Sequence, residues 1–263
     1  MPYRKIRLEK EKLFIVEGEW RHQDQVFVGI GNRKLGENII TLTLPPDRVI
    51  FPDVDRTVVV CPGATPWCRR FCYAKARSSQ IMIPKNLVFY TSNLVMYLED
   101  PERFRESLLE KIILASTRVK PIENKFVVRL FVAGDFPNIK FIELIRSVAD
   151  SLPKEKWQVY GYTRTWRIPE FLPHLNKLRE LPHVVIYAST DPDSGPPPEG
   201  WLEAAVVDFT YDPEWRPYRR TIRCLEETHG FTCERCRICI FGRSSVHWEI
   251  IRGVPMPRKI RGR

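Results

Sequence analysis

Apolar and polar positions change period along the chain, and the changes divide it into stretches. Residues 13–31 (LFIVEGEWRHQDQVFVGIG) read as two short strands around a polar turn, and 38–44 (NIITLTL) alternates like a third. The run RTVVVC at 56–61 is β-branched throughout its middle, which predicts a buried strand. Helical patterning follows from Cys68 to about 78, then over 86–98 and 101–118. In the last of these, Phe104, Leu108, Leu109, Ile112 and Ile113 share one stripe, and Pro101 suits the first turn.

From 126 onward strands alternate with helices. FVVRLFVAGD (126–135) reads as a strand running into a loop, NIKFIELIRSVADSL (138–152) as an amphipathic helix and WQVYGYTR (157–164) as a strand. IPEFLPHLNKLREL (168–181) reads as a helix with Pro173 inside it. HVVIYAST (183–190) and AAVVDFTY (204–211) read as two more strands. This rhythm predicts an α/β protein with right-handed crossovers and a parallel sheet, either open or closed into a partial or full TIM-like (β/α) barrel. Three parts are expected: an N-terminal β-hairpin extension (1–50), a barrel core (51–212), and a cysteine-rich segment with a basic tail (213–263). In such folds the site lies where the parallel strands end. Those ends are Cys61, Gly134-Asp135, Tyr162-Thr163-Arg164, Ser189-Thr190-Asp191 and Tyr211-Asp212.

Composition narrows the class. The chain has 263 residues, 43% hydrophobic and 28% charged, which fits a folded globular protein. No apolar run reaches the roughly 18 residues of a membrane span, and the first dozen residues carry charge where a signal peptide is apolar. A cytoplasmic protein that does not enter the membrane is expected. Amides are few (4 Gln, 7 Asn) beside 22 Pro, a thermophile-like balance. The net charge of +10 points to nucleic acid or another polyanion as a partner. Five basic and no acidic residues from Arg252 to Arg263, and the segment PEWRPYRRTIRC (213–224), add to that expectation. The segment interleaves Trp215 and Tyr218 with Arg216, Arg219, Arg220 and Arg223.

The seven cysteines carry the chemistry. An odd count without a signal peptide speaks for metal or redox use over a disulfide framework. Cys224, Cys233, Cys236 and Cys239 are spaced x8, x2 and x2. Overlapping two-residue hooks of this kind suit a [4Fe–4S] cluster, with a four-thiolate zinc site as the alternative. Cys61, Cys68 and Cys72 have no fourth cysteine near them in sequence. Three thiolates on a cubane leave one iron open, which marks a reactive site. A zinc site completed by histidine is the alternative, and His22, His174, His183, His229 and His247 all lack ligand spacing to the three cysteines.

A three-cysteine motif with an aromatic before its last cysteine (Phe71-Cys72), in a parallel α/β array, resembles the radical S-adenosylmethionine enzymes. CPGATPWCRRFCYAKA, followed by RLFVAGDF, YGYTR and the late four-cysteine run, is more closely similar to the phage-associated gene product eighty-eight group, a set of radical-S-adenosylmethionine-like barrel proteins. The similarity spans about 57–247. It implies that Cys61, Cys68 and Cys72 ligate a [4Fe–4S] cluster and that Phe71 lies by the adenine of S-adenosylmethionine. It further implies that Gly134 and Asp135 meet the amino group of this cofactor and Ser189 its ribose. The chain departs from the superfamily spacing, with x6 and x3 in place of x3 and x2.

Three functions follow as expectations. The first is a radical enzyme supplied by an electron donor, its second cluster relaying electrons or binding substrate. The second is a non-radical iron–sulfur enzyme whose open iron is a Lewis acid, with Asp135, Tyr162 and Arg164 as acid–base or anion-binding groups. The third is a nucleic-acid-binding protein with structural metal sites. Substrate and oligomeric state are not legible.

Overall fold

A computed structural model describes residues 25–51, 55–75 and 84–249, with the backbone alone of two strands before them and of residues 84–85. Among the described residues twelve strands form two sheets. The smaller joins β1 (Ile6–Leu8), β2 (Phe14–Val16), β5 (Arg48–Phe51) and β6 (Arg56–Val59) in that order. The larger has eight strands. Its seven parallel members run β4 (Gly36–Leu42), β7 (Phe126–Leu130), β8 (Trp157–Thr163), β9 (Val184–Thr190), β10 (Glu203–Val207), β12 (Val246–Glu249) and β11 (Ile222–Arg223). β3 (Val28–Asn32) closes one edge antiparallel to β4. The fold is therefore mixed α/β with a mostly parallel sheet. Among the described residues β3 and β11 stand at separate edges, so the sheet is open there and shows no closed barrel.

The strands of the larger sheet have different surroundings on their two faces. Val128 and Leu130 of β7, Val159 of β8 and Ile186 and Ala188 of β9 pack beneath α3 (Pro101–Ser116), α4 (Ile139–Asp150) and α5 (Leu172–Arg179) in the main core. The alternate residues Val127, Tyr160, Tyr162, Val185 and Tyr187 face the other way, against Cys233, Ile238, Cys239, Ile240 and Phe241. Period two in the strands thus sends aliphatic residues to the helices and tyrosines to the cysteine-rich segment.

The helices follow from caps and stripes. Asn138 caps α4 by accepting from the Phe141 amide (2.9 Å), and the Tyr97 hydroxyl donates to the same oxygen (2.6 Å). Such a cap contributes about 1 kcal/mol. The α3 stripe buries Phe104, Leu108 and Ile112 but leaves Ile113 on the rim, 51% exposed. Pro173 lies in the first turn of α5, where a proline costs no helix hydrogen bond. Among the described residues no helix is long and apolar enough to cross a membrane.

Several expectations need correction. The strands within 13–31 do not pair with each other: β2 joins the small sheet and β3 the large one. The strand at 38–44 belongs to the parallel array as its first member, not to a front extension. The run at 56–61 forms β6, which is mostly exposed and antiparallel to β5, since a β-branched run favours extended backbone without choosing its sheet. The chain thus makes an excursion from the end of β4 through the β5–β6 pair before reaching Cys61. The helix from Cys68 is α1 (Pro66–Phe71), followed by a 3₁₀ turn at Tyr73–Lys75. The rest of that expected helix, the turn at 17–24 and the basic tail at 252–263 lie outside the described residues.

Candidate metal centres

Cys61 follows β6 and is anchored by one residue. The Val60 and Cys61 amides donate to the Asp47 carbonyl (2.8 and 3.0 Å), and the Asp47 amide donates to the Cys61 sulfur (3.2 Å). Asp47 has a left-handed backbone, φ 66°, and its carboxylate is buried against Lys75 (2.6 Å) with Arg69 at 3.3 Å. One aspartate therefore binds both ends of the motif together, Cys61 through its backbone and the segment after Cys72 through its side chain.

Between these ends Thr65 caps α1. Its hydroxyl accepts from the Cys68 amide (2.8 Å) and donates to Asp191 at the end of β9 (2.7 Å). The Trp67 amide donates to Asp193 (2.9 Å), and its indole N–H donates to Asp212 (2.7 Å). Arg167 reaches the carbonyls of Gly63 (3.0 Å) and Ser194 (3.0 Å). A Cβ on Gly63 would strike the Arg164 carbonyl, so the x6 loop can lie this close to the end of β8 only as glycine. These contacts hold the three cysteines over the ends of β8 and β9.

Arg164 supplies the local cation. Its guanidinium pairs with Asp191 and hydrogen-bonds Cys68. Asp135 receives the Thr163 hydroxyl (2.6 Å) and the amides of Arg164 (2.8 Å) and Phe136 (2.8 Å), and burial raises its pKa. Its oxygens are thus engaged in joining the ends of β7 and β8. Gly134 has φ 82° and packs on Leu44 beyond β4. The Ser189 carbonyl accepts from the Trp166 indole (3.2 Å). The Phe71 ring packs edge-on against Trp67 (4.7 Å) and Tyr211 (5.1 Å).

All seven cysteines are free thiols, each partly buried. Burial pushes Cys72 up to about 11, and Cys68 adds to the rise. Burial also raises Cys61, with Asp135, Cys72 and Cys68 contributing, and raises Cys68 against the pull of Arg164. The three thiols therefore lie close enough to oppose one another's ionisation.

The second group occupies the tyrosine-bearing face of the sheet, from the β3–β4 turn at α7 to Tyr162 near the end of β8. α7 (Cys233–Cys236) docks on the β3–β4 turn: the Cys233 and Glu234 amides donate to the carbonyls of Lys34 (2.9 Å) and Leu35 (3.0 Å). The Glu234 carboxylate receives the amides of Glu37 and Asn38 (both 2.9 Å) and the Asn38 side chain (3.2 Å). Arg237 and Arg243 both pair with Glu123, which precedes β7. Cys224 is joined through its amide to the His247 carbonyl (2.9 Å). Burial raises Cys233, Cys236 and Cys239, the last to about 12, and Cys224 opposes the ionisation of all three. The fold thus brings together four cysteines from two sequence positions.

Tyr162 belongs with this second group. Its hydroxyl hydrogen-bonds Cys239, and its ring meets Trp248 (5.2 Å) and the Arg129 guanidinium (5.2 Å). Arg129 is a residue that sequence reasoning missed. Its Nε lacks a hydrogen-bond partner, and it has no carboxylate within ion-pair distance among the described residues. The groups around it are Tyr160, Tyr162, Tyr73 and Cys233, all neutral while protonated. The residue is half-buried, and a permanently charged guanidinium partly withdrawn from water without an anion is disfavoured. The signal was present as one arginine inside the apolar strand FVVRLFV. Asp47 and Lys75 gave no comparable signal.

Among the described residues no three His, Cys, Asp or Glu side chains are set to hold a metal ion. A zinc ion draws its sulfurs to about 2.3 Å from one point. The donor set itself, thiols alone, is one that either zinc or a four-iron cluster takes.

Compared with known proteins, residues 25–242 match the family model described as Gene product 88. The chain is also similar to the "Gene 88 protein" of Mycobacterium phage D29, 28% identical over 206 residues, covering 71% of this chain and 80% of the phage protein. No solved structure matches. The chain belongs to the Gene product 88 family.

Proposed function

We propose that this Gene product 88 family member is an iron–sulfur enzyme. In this reading Cys61, Cys68 and Cys72 hold a [4Fe–4S] cluster by three corners, and Cys224, Cys233, Cys236 and Cys239 hold a second by four. The observation that carries it is the grouping of the thiols: Cys68 and Cys72 both raise Cys61 and Cys68 raises Cys72 beside the strand ends, while Cys224 lies near enough to raise Cys233, Cys236 and Cys239 on the tyrosine face. Arg129 adds to it, because a half-buried cation among Tyr160, Tyr162, Tyr73 and Cys233 would be balanced by an anion there, and a cluster with four thiolates is one. A four-thiolate zinc ion would carry the same charge and is the alternative for the second group.

When bound, a cluster held by three thiolates supplies an open iron and a one-electron couple, which suits radical chemistry with S-adenosylmethionine and requires an electron donor. The chain's own residues prepare the place. Arg164 sets a cation beside Cys68, the Asp47 amide donates to the Cys61 sulfur, and Thr65 fixes α1; each favours thiolate over thiol or fixes its position. Phe71 and Ser189 flank the same strand ends. A second reading keeps the open iron as a Lewis acid without S-adenosylmethionine: the Asp135 oxygens already receive three hydrogen bonds, which makes this carboxylate less free for the cofactor's amino group and equally less free as an acid or base.

Low-temperature EPR of anaerobic, dithionite-reduced protein with and without S-adenosylmethionine tests the proposal. A [4Fe–4S]⁺ signal reshaped by S-adenosylmethionine is the expected result. A signal indifferent to it overturns the radical reading and leaves the Lewis-acid one. Zinc in place of iron at both groups overturns both.

A further inference from the structure

Exposed aromatic rings gather beside the three-cysteine group. Among the described residues, the large exposed aromatics are Tyr73 (61%), Phe209 (41%), Tyr211 (43%) and Tyr218 (42%). Tyr73 directly follows the last cysteine of the motif, and the other three fall within the eleven residues after β10. Arginines accompany them. The Arg70 guanidinium lies over Tyr211 (4.5 Å) and Arg216 over Phe209 (5.0 Å). Arg70, Arg216, Arg219 and Arg220 form no ion pair with a carboxylate among the described residues. The surface is continuous with the cysteine group, because α1 carries Cys68, Arg70 and Phe71, and Phe71 packs on Tyr211.

The loop bearing the rings is held in place. Buried Glu203 accepts from the Tyr218 and Arg219 amides (3.1 and 2.7 Å) as well as from Thr190 (2.6 Å). Asp208 accepts from the Thr210 and Tyr211 amides (both 3.1 Å), and Asp212 receives the Trp67 indole. Rings and guanidiniums are thus presented in a fixed array. Packing alone would have turned the rings inward.

We propose that the surface of Arg70, Phe209, Tyr211, Arg216, Tyr218 and Arg220 binds a single-stranded nucleic acid, with bases stacked on the rings and phosphates at the guanidiniums. Stacking needs bases free of a duplex, and interleaved arginines neutralise the backbone between them. The net charge of +10 favours the encounter. The inference rests on the proposed iron–sulfur function only where it makes this strand the substrate; binding itself needs no cluster.

The test is fluorescence anisotropy of a labelled 20-mer of mixed-sequence single-stranded DNA or RNA, using the full chain both metal-free and reconstituted. Binding should weaken steeply with added salt and exceed that of the matching duplex. Phe209→Ala and Tyr218→Ala should each weaken it at least roughly fivefold. Arg216→Gln and Arg220→Gln should flatten the salt dependence. All four positions are exposed, and a circular dichroism melt checks that each variant folds. Absence of binding in both forms overturns the proposal, as does binding of duplex equally well with no loss in the ring variants. Ring-dependent binding to anionic phosphatidylserine vesicles in place of the oligonucleotide also overturns it. Metal-free protein that binds as well as reconstituted protein separates this inference from the fate of the cluster reading.

Discussion

Asp47 and Arg129 do most to shape the two cysteine groups at the scale of single residues. Asp47 adopts a left-handed backbone so that its amide meets the Cys61 sulfur while its carboxylate meets Lys75. No spacing rule reveals this, because the pairing crosses two strands and a loop. Arg129 is different, since one cation within an apolar strand is visible in the sequence. Only the fold shows what faces it, namely three tyrosines and Cys233. Replacing it with neutral Met should leave the fold intact and remove about 1–3 kcal/mol of electrostatic support for the more negative, reduced state of the proposed second cluster. Redox titration followed by EPR should then report a lower reduction potential for that cluster, while Arg129→Lys restores most of it. An unchanged potential would mean that Arg129 is compensated elsewhere.

Among the elements, those with long periods were legible and short ones were not. The strands β7, β8 and β9 and the helices α3 and α4 lie within a few residues of where alternation and stripes put them. β11 and β12 were invisible, since two and four residues carry no period. β6 was read as buried because β-branched residues favour strands anywhere, and which sheet receives them is decided by partners distant in sequence. The docking of α7 on the β3–β4 turn was equally hidden: Glu234 lies between two cysteines of the motif, yet its carboxylate serves the Glu37 and Asn38 amides. Glu234→Ala should cost about 1–3 kcal/mol by orphaning these donors. Hydrogen exchange should quicken across residues 34–40, and metal should leave the second group faster than the first. Equal loss from both groups would contradict the docking account.

For the whole molecule, the strand before Cys61 was expected in the parallel array and lies in the smaller antiparallel pair, whereas the mostly parallel α/β class and the division of cysteines into three and four were legible from rhythm and spacing. The open form of the sheet was not, because alternation of strands and helices is common to open sheets and barrels. Nor was the place of the second group, since nothing local announces that residues 231–243 cover the tyrosine face of β7, β8 and β9. That arrangement sets one cysteine group beside the ends of β8 and β9 and the other on the tyrosine-bearing face of the same sheet, where Tyr162 and Arg129 also lie. It also gives Tyr162, expected as a strand-end acid or base, a partner in Cys239.

The most direct test of two iron–sulfur centres is a metal count on anaerobically reconstituted protein, with iron, acid-labile sulfide and zinc measured per chain. The account predicts about eight irons and eight sulfides, falling by half in Cys236→Ala and again by half in Cys68→Ala, each variant losing a different centre. A chain that takes up zinc without sulfide, or keeps its full iron when Cys68 is replaced, would contradict it.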